Sequence, residues 1–282
     1  MLFRSGYFTK TAAIFGGEHV SRLTERDHNN YSSVMEIRKA HKGDNFDFEI
    51  LRKEQVQDGL ESINLTKSCG LDPGAPSKLL KKVASGVAAS LTSLYNNCIK
   101  QSQWPTAWKK EESTPVFEKG DRQEEKNYRP ITSLVCVDKI FEHLLSKQIV
   151  DHFDSVLYQR MTAYRRQHSC ETTLLTLLEE WKQAVDRREI VTVLSTDMSK
   201  AFDSLCHSLT IKKLDAYGFG SSSLDLIRSF FDKRLNSVKI NDHISEWKTM
   251  ERGCPHARVR HLGHYCGTCS KTTYHIMQTS QI

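Results

Sequence analysis

Hydrophobic and polar positions change period several times along the 282-residue chain, and each change marks a predicted element. From Met1 to about Asp44 no period is sustained, and Lys, Arg, His, Asn and Gly mix freely. Residues 1–45 therefore read as a weakly ordered lead-in or linker. Phe46, Phe48 and Ile50 then alternate, predicting a strand, and Val56, Leu60 and Ile63 follow at helical spacing. Turn formers crowd Lys67 to Gly74, after which Pro76-Ser77 opens a helix with the stripe Leu80, Val83, Val87, Leu91, Leu94 and Cys98, ending near Trp104-Pro105. The charged, breaker-containing stretch from Lys109 to Pro130 suits a solvent-facing hairpin or loop, with a short strand at Thr114 to Phe117.

Helical spacing returns at Ile140, Phe141, Leu144, Leu145, Ile149 and Phe153, and again at Leu174, Leu175, Leu178, Trp181 and Val185. Ile190 to Leu194 is a compact, β-branched run of the kind found in a strand buried on both faces. Leu209, Leu214 and Tyr217 predict a helix stopped by Gly218 and Gly220, and Leu224 to Phe231 another. Val238 to Ile240 and Ile244 to Trp247, joined by Asn241-Asp242, read as a β-hairpin. No internal repeat is visible, and the mixture of helices and strands predicts an α/β or α+β core.

Composition adds boundaries and no function. The chain is long enough to bury a core, and no apolar run reaches the roughly 20 residues of a membrane span. The start lacks the pattern of a signal peptide, so the expectation is an intracellular protein, nuclear or cytoplasmic. In such a compartment the eight cysteines read as thiols or metal ligands. Forty Lys and Arg against 34 Asp and Glu give a formal charge of +6, which permits a polyanionic partner without demanding one.

The sharpest candidate for chemistry is Asp197, released at the end of the β-branched run and followed by Met-Ser-Lys-Ala-Phe-Asp203. Ligands collect at the carboxyl ends of strands in open sheets, and a hard cation such as Mg²⁺ takes one or two protein carboxylates there. The alternative is a helix-capping Asp.

Asp197 to Asp203 resembles the D-x-S-K-A-F-D signature of reverse transcriptases from non-LTR, LINE-type retrotransposons. Other blocks fall in the same order. Lys67-Ser-Cys-Gly-Leu-Asp72 resembles K-A-x-G-x-D, and Trp108-Lys109 with Pro115-Val-Phe-Glu-Lys-Gly-Asp121 resembles the family's W-K and P-[IV]-F-K-K-G-D. Asn127-Tyr-Arg-Pro-Ile131 matches N-Y-R-P-I. Gln159, Ala163-Tyr-Arg165 and His168-Ser-Cys-Glu-Thr172 resemble Q-x-G-F-R-x-x-H-S, and Tyr217-Gly218 and Arg252-Gly-Cys-Pro255 follow.

The resemblance implies an α+β, right-hand polymerase-like fingers and partial palm over 46–255, incomplete and without a thumb. It implies Asp197 as catalytic metal ligand, Phe202 as the ring that excludes a 2′-OH, and Lys119 and Arg129 as cations facing the triphosphate. The 2′-OH is what separates RNA from DNA building blocks, and guanidinium suits bidentate phosphate contact. Arg165 would lie along the template path, where a cation positions phosphates without reading sequence. Read from the residues alone, Phe202 is an ordinary core aromatic and the cations are solvated charges. Implied partners are an RNA template, a DNA primer and deoxynucleoside triphosphates; the implied cofactor is Mg²⁺.

Three departures matter. Glu118 stands where the family often has a second Lys. Gly253-Cys-Pro255 runs into His256-Ala-Arg258 in place of Gln-Gly-Ser. No Asp-Asp pair occurs anywhere, and no acidic residue follows Glu251, so the carboxylates that complete a two-metal centre are missing. His261, His264, Cys266 and Cys269 suggest a small zinc module, but a single residue separates His264 from Cys266, where structural sites place a longer spacer. Shifting the reading frame by one nucleotide over His264 to Thr272 forces Leu-Leu and permits a run resembling the family's continuation. Residues 256–282 are therefore expected to be a frameshifted tail.

The expected function is a fragment of an RNA-directed DNA polymerase that does not polymerise by itself. The alternative is a residual nucleic-acid-binding module without catalysis, marked by steep salt dependence.

Overall fold

The computed structural model describes residues 34–35, 37–38, 45–65, 77–156, 167–193, 205–241 and 243–254. Among them are seven helices: α1 (Lys53–Glu61), α2 (Ser77–Lys82), α3 (Ala84–Gln101), α4 (Cys136–Val156), α5 (Cys170–Asp186), α6 (His207–Ala216) and α7 (Ser221–Phe231). The strands are β1 (Lys110–Phe117), β2 (Tyr128–Ser133), β3 (Leu235–Ile240), β4 (His243–Ile244) and β5 (Lys248–Thr249). The expected mixture of helix and sheet is present. The lead-in at 1–45, the Lys67 block and the tail at 256–282 fall almost wholly outside the described residues.

The sheet runs β2-β1-β3-β4, with β5 also on β3. β1 pairs antiparallel with β2, from Glu112 opposite Ser133 to Phe117 opposite Tyr128. It pairs parallel with β3, from Lys110 beside Leu235 to Ser113 beside Val238. A parallel pair needs a long crossover, and here it contains α4 to α7. β1 is thus an inner strand. That corrects the expectation of a solvent-facing stretch from Lys109: Lys109, Glu111, Glu112 and Ser113 are buried, and exposure begins toward the hairpin tip.

The single helix expected from Pro76 to Trp104 is broken at Val83, which leaves helical geometry with φ −100° and ψ 16°. The buried face is also rotated from the predicted stripe. Ala84, Ala88, Tyr95, Cys98 and Ile99 are inside, whereas Val83 and Leu94 are exposed. α3 packs against α1, and the aromatic at 95 reaches the centre. Tyr95 stacks on Phe141 with centroids 4.7 Å apart; Trp104 and Trp108 close round the same ring at 4.7 and 6.1 Å. Full burial of one such side chain stabilises by about 1.5–3 kcal/mol.

The strand predicted at Phe46 to Ile50 reduces to one bridge, Phe46 to Phe219. Phe46 N donates to Gly218 O and Gly220 N to Phe46 O, both at 2.8 Å. A Cβ at Gly220 would meet the Asp47 carboxylate at 2.4 Å, so a larger residue there would have to push that side chain aside. Phe46, His152, Phe153 and Phe219 form a second aromatic cluster.

Candidate functional site: the β1–β2 hairpin and the neighbouring buried charges

The two fingers blocks, Pro115 to Asp121 and Asn127 to Ile131, become the two arms of one hairpin. Pro115 faces Pro130, Val116 faces Arg129 and Phe117 faces Tyr128. The loop is closed from within. Glu118 N donates to Asn127 O at 2.8 Å, and Asn127 Nδ2 donates to Asp121 O at 2.8 Å. Gly120 has φ +88°, and a Cβ there would meet Asn127 Nδ2 at 2.7 Å. The Gly-Asp and Asn of these blocks are therefore the parts that fold the tip. Tyr128 Oη donates to Arg122 O at 2.9 Å, and the Arg122 guanidinium lies 4.7 Å from the Phe117 ring centroid.

This arrangement brings Lys119 and Arg129 into one unit. Lys119 is exposed at the turn. The Arg129 guanidinium is held by Glu118, with Nε and Nη2 each 2.5 Å from a carboxylate oxygen. Asp197, Phe202 and Arg165 lie outside the described residues.

The flanks of the Asp197 segment are described. Ile190 and Val193, before it, are 66% and 52% exposed, so the described part of this run is not a strand buried on both faces. Its neighbours among the described residues do not cover it. After the segment, Cys206 bridges antiparallel to Arg252, and Gly253 N donates to Leu205 O at 2.8 Å. The exit of the Asp197 block thus meets the Arg252-Gly-Cys block. His207 locks the junction, with Nε2 2.7 Å from Gly253 O and its ring stacked on Phe231 at 4.3 Å. Burial pushes the His207 imidazole below its usual value.

Beneath the hairpin lies a charged cluster that the sequence pattern did not reveal. Arg234, immediately before β3, is buried, with Nε 3.2 Å from Glu111 Oε1 and Nη2 3.6 Å from Asp138 Oδ2. Its guanidinium also donates to Phe230 O at 3.2 Å and covers the Phe230 ring at 4.3 Å. Trp104 Nε1 donates to Asp138 Oδ1 at 2.9 Å. Glu142, one turn further along α4, has no hydrogen-bond partner for either oxygen among the described residues. Desolvation dominates: burial lifts the Asp138 carboxyl to about 7 against the pull of Arg234 and Trp104, and lifts Glu142 well above the carboxylate range. Asp138 and Glu142 fall in phase with Leu145 and Ile149 on α4, so carboxylates inside an apolar stripe were the available signal.

Among the described residues no three His, Cys, Asp or Glu gather around one point as a metal site. The sequence has no Asp-Asp pair, so the residues of this chain do not supply the donor set of a two-metal centre. His261, His264, Cys266 and Cys269, the zinc candidates, lie outside the described residues. Cys98, Cys136, Cys170, Cys206 and Cys254 are not joined in disulfides. No described helix is long and apolar enough to cross a membrane.

The ordered blocks, two of which fold into this hairpin, define a known class. The family described as reverse transcriptase (RNA-dependent DNA polymerase) matches residues 111–259, more than half of the chain, and the chain belongs to it. Two similar proteins come from Drosophila melanogaster. One, named "Probable RNA-directed DNA polymerase from transposon BS", is 25% identical over 74% of this chain and 23% of its own length. The other, from transposon X-element, is 26% identical over 66% of this chain and 21% of its own length. A third, the "Retrovirus-related Pol polyprotein from type-1 retrotransposable element R2" of Popillia japonica, is 23% identical over 48% of this chain and 19% of its own length. The resemblance to non-LTR retrotransposon reverse transcriptases is borne out, and the chain spans about a quarter or less of these relatives.

Proposed function

We propose that this chain is the fingers and first part of the palm of a retrotransposon RNA-directed DNA polymerase, and that it meets nucleotide and nucleic acid without completing the chemistry. In this reading 46–255 is the polymerase-like unit, preceded by a lead-in and followed by a frameshifted tail. The family reaction joins a deoxynucleotide to a DNA 3′-OH on an RNA template, by in-line attack on the α-phosphate. Cationic side chains stabilise the charge that develops on the phosphate oxygens. Lys119 and Arg129 hold the triphosphate, Phe202 excludes a 2′-OH, and Arg165 supports the template backbone. Asp197 would supply one metal-binding carboxylate.

One observation carries the reading: the two fingers blocks, six residues apart in the chain, fold into a single register that sets Lys119 and Arg129 on the same hairpin. A solvated loop of unrelated charges has no reason to close through Gly120, Asp121 and Asn127.

The test is primer extension on an RNA template with Mg²⁺ and all four deoxynucleotides. The expected outcome is no template-dependent product. Product that Asp197→Asn abolishes would show a complete catalytic centre and overturn the incompetence of the isolated chain. Binding of labelled primer–template that weakens steeply with salt is expected from the phosphate contacts. Binding that ignores salt would count against them.

A further inference from the structure

The pleat of the β1–β2 hairpin puts an acid on the cation that the triphosphate reading needs. On one face of an antiparallel pair, a side chain meets its direct partner and the diagonal neighbours two positions along. Val116 lies directly opposite Arg129. The Glu118 to Asn127 hydrogen bond extends the same register, so Glu118 stands diagonal to Arg129 on its face. The carboxylate takes the guanidinium at two nitrogens, each at 2.5 Å. That fork-on-fork geometry is the one by which a guanidinium also binds a phosphate.

The pair is open to solution. Arg129 is 72% and Glu118 40% exposed, so an anion can reach the guanidinium without unfolding the hairpin. Two other cations of the tip are differently placed. Arg122 lies over the Phe117 ring, and Lys119 is exposed at the turn. Arg129 is therefore the cation whose availability Glu118 governs.

We propose that Glu118 is an internal competitor for polyphosphate. It occupies Arg129 in the free chain, and an incoming polyphosphate binds the guanidinium only by displacing it. The inference rests on the reading of this hairpin as facing the triphosphate. Two effects act in the same direction. The ion pair must be broken, and the released carboxylate then stays beside an anion. Exposed pairs are weak because water screens them and two long side chains lose freedom, so the barrier is a bias on affinity, of about twofold to fivefold.

The experiment is isothermal titration of the full chain with inorganic tripolyphosphate at fixed ionic strength. It compares the natural chain, Glu118→Gln, Arg129→Gln and the double variant, with far-UV circular dichroism reporting that each remains folded. Glu118→Gln is expected to tighten binding about twofold to fivefold, and Arg129→Gln to weaken it. In the Arg129→Gln background, Glu118→Gln should give much less tightening, because the pair no longer exists to be broken. Unchanged affinity in Glu118→Gln overturns the inference. Equal tightening in both backgrounds also overturns it, since Glu118 then acts only as diffuse negative charge. Absence of binding by all four chains sinks the triphosphate reading of the hairpin, and the inference with it.

Discussion

Helices α4 and α5 are both written as apolar stripes at helical spacing, yet one stripe is inside and the other outside. In α4, Ile140, Phe141, Leu144, Leu145, Ile149 and Phe153 are all buried. In α5, Leu174, Leu175, Leu178 and Val185 are between 47% and 66% exposed, and Ala184 is the buried residue. Periodicity records which face of a helix favours burial; covering elements decide whether burial happens. Around α4 those elements are Tyr95 of α3 and the Trp104–Trp108 turn on one side and the Phe46–Phe219 cluster on the other. Among the described residues α5 has no comparable cover.

The largest expected effect breaks or upholds that contrast directly. Phe141→Ala removes a fully buried ring that touches Tyr95, Trp104 and Trp108, and is expected to cost about 3–5 kcal/mol. Leu175→Ala removes an exposed side chain and is expected to stay within about 0.5 kcal/mol. Urea midpoints of the two variants and the natural chain measure both. Comparable losses in the two would mean that α5 is as deeply packed as α4.

Much of this was legible beforehand, and the misses share a cause. The stripe of α4, the breaks at Gly218 and Asn241, and the hairpin from β3 to β4 follow from local periodicity and turn chemistry, which a single segment carries by itself, although the second arm is His243–Ile244 in place of the expected Ile244 to Trp247. The hairpin tip was legible too, because Gly120, Asp121 and Asn127 specify it locally. Glu111 belongs to the stretch expected to face solvent, and it is fully buried because β1 lies between β2 and β3. Its partner Arg234 is 123 residues away. Neither local pattern nor composition reports a contact at that separation. For Asp197, Phe202 and Arg165 the motifs name roles, and their positions lie outside the described residues.

A middle-sized effect concerns the carboxylates that α4 buries along with its apolar stripe. Asp138 has an ordinary carboxyl pKa of 3.8 when unfolded and about 7 when folded. The folded chain therefore keeps a proton that the unfolded chain has released. The contribution is fully present below the unfolded value and is lost as pH rises through about 7. Glu142, lifted by the same burial, adds in the same direction. His207 works oppositely. Its folded pKa is depressed, so its contribution is present above the usual 6.5 and lost as pH falls below it. A comparison with Asp138→Asn isolates the first effect, because asparagine keeps an acceptor for the Trp104 indole and cannot titrate. From about pH 5 to 8 the natural chain should lose more stability than the variant, by at most about 1.4 kcal/mol per pH unit. Urea midpoints at successive pH values test this; parallel curves for the two chains would mean that Asp138 does not hold its proton in the folded state.

The smallest effect sharpens the comparison from the α5 side. With little tertiary cover, α5 depends on its own ends. Thr172 N donates to Ser169 Oγ at 3.1 Å, and Ser169 N donates to Thr172 Oγ1 at 2.8 Å, a reciprocal cap over the first turn. Ser169→Ala removes one half of it and is expected to cost about 1 kcal/mol. Hydrogen exchange locates that cost. Amides of α5 should lose protection while those of α4 keep theirs, because a helix held by its cap opens on its own and a helix held by packing opens with the core. Equal loss in both helices would show that α5 unfolds together with α4, and that its exposed stripe belongs to a single cooperative unit after all. No loss in α5 would leave the cap without weight and shift the explanation of its stability to the residues of its buried side around Ala184.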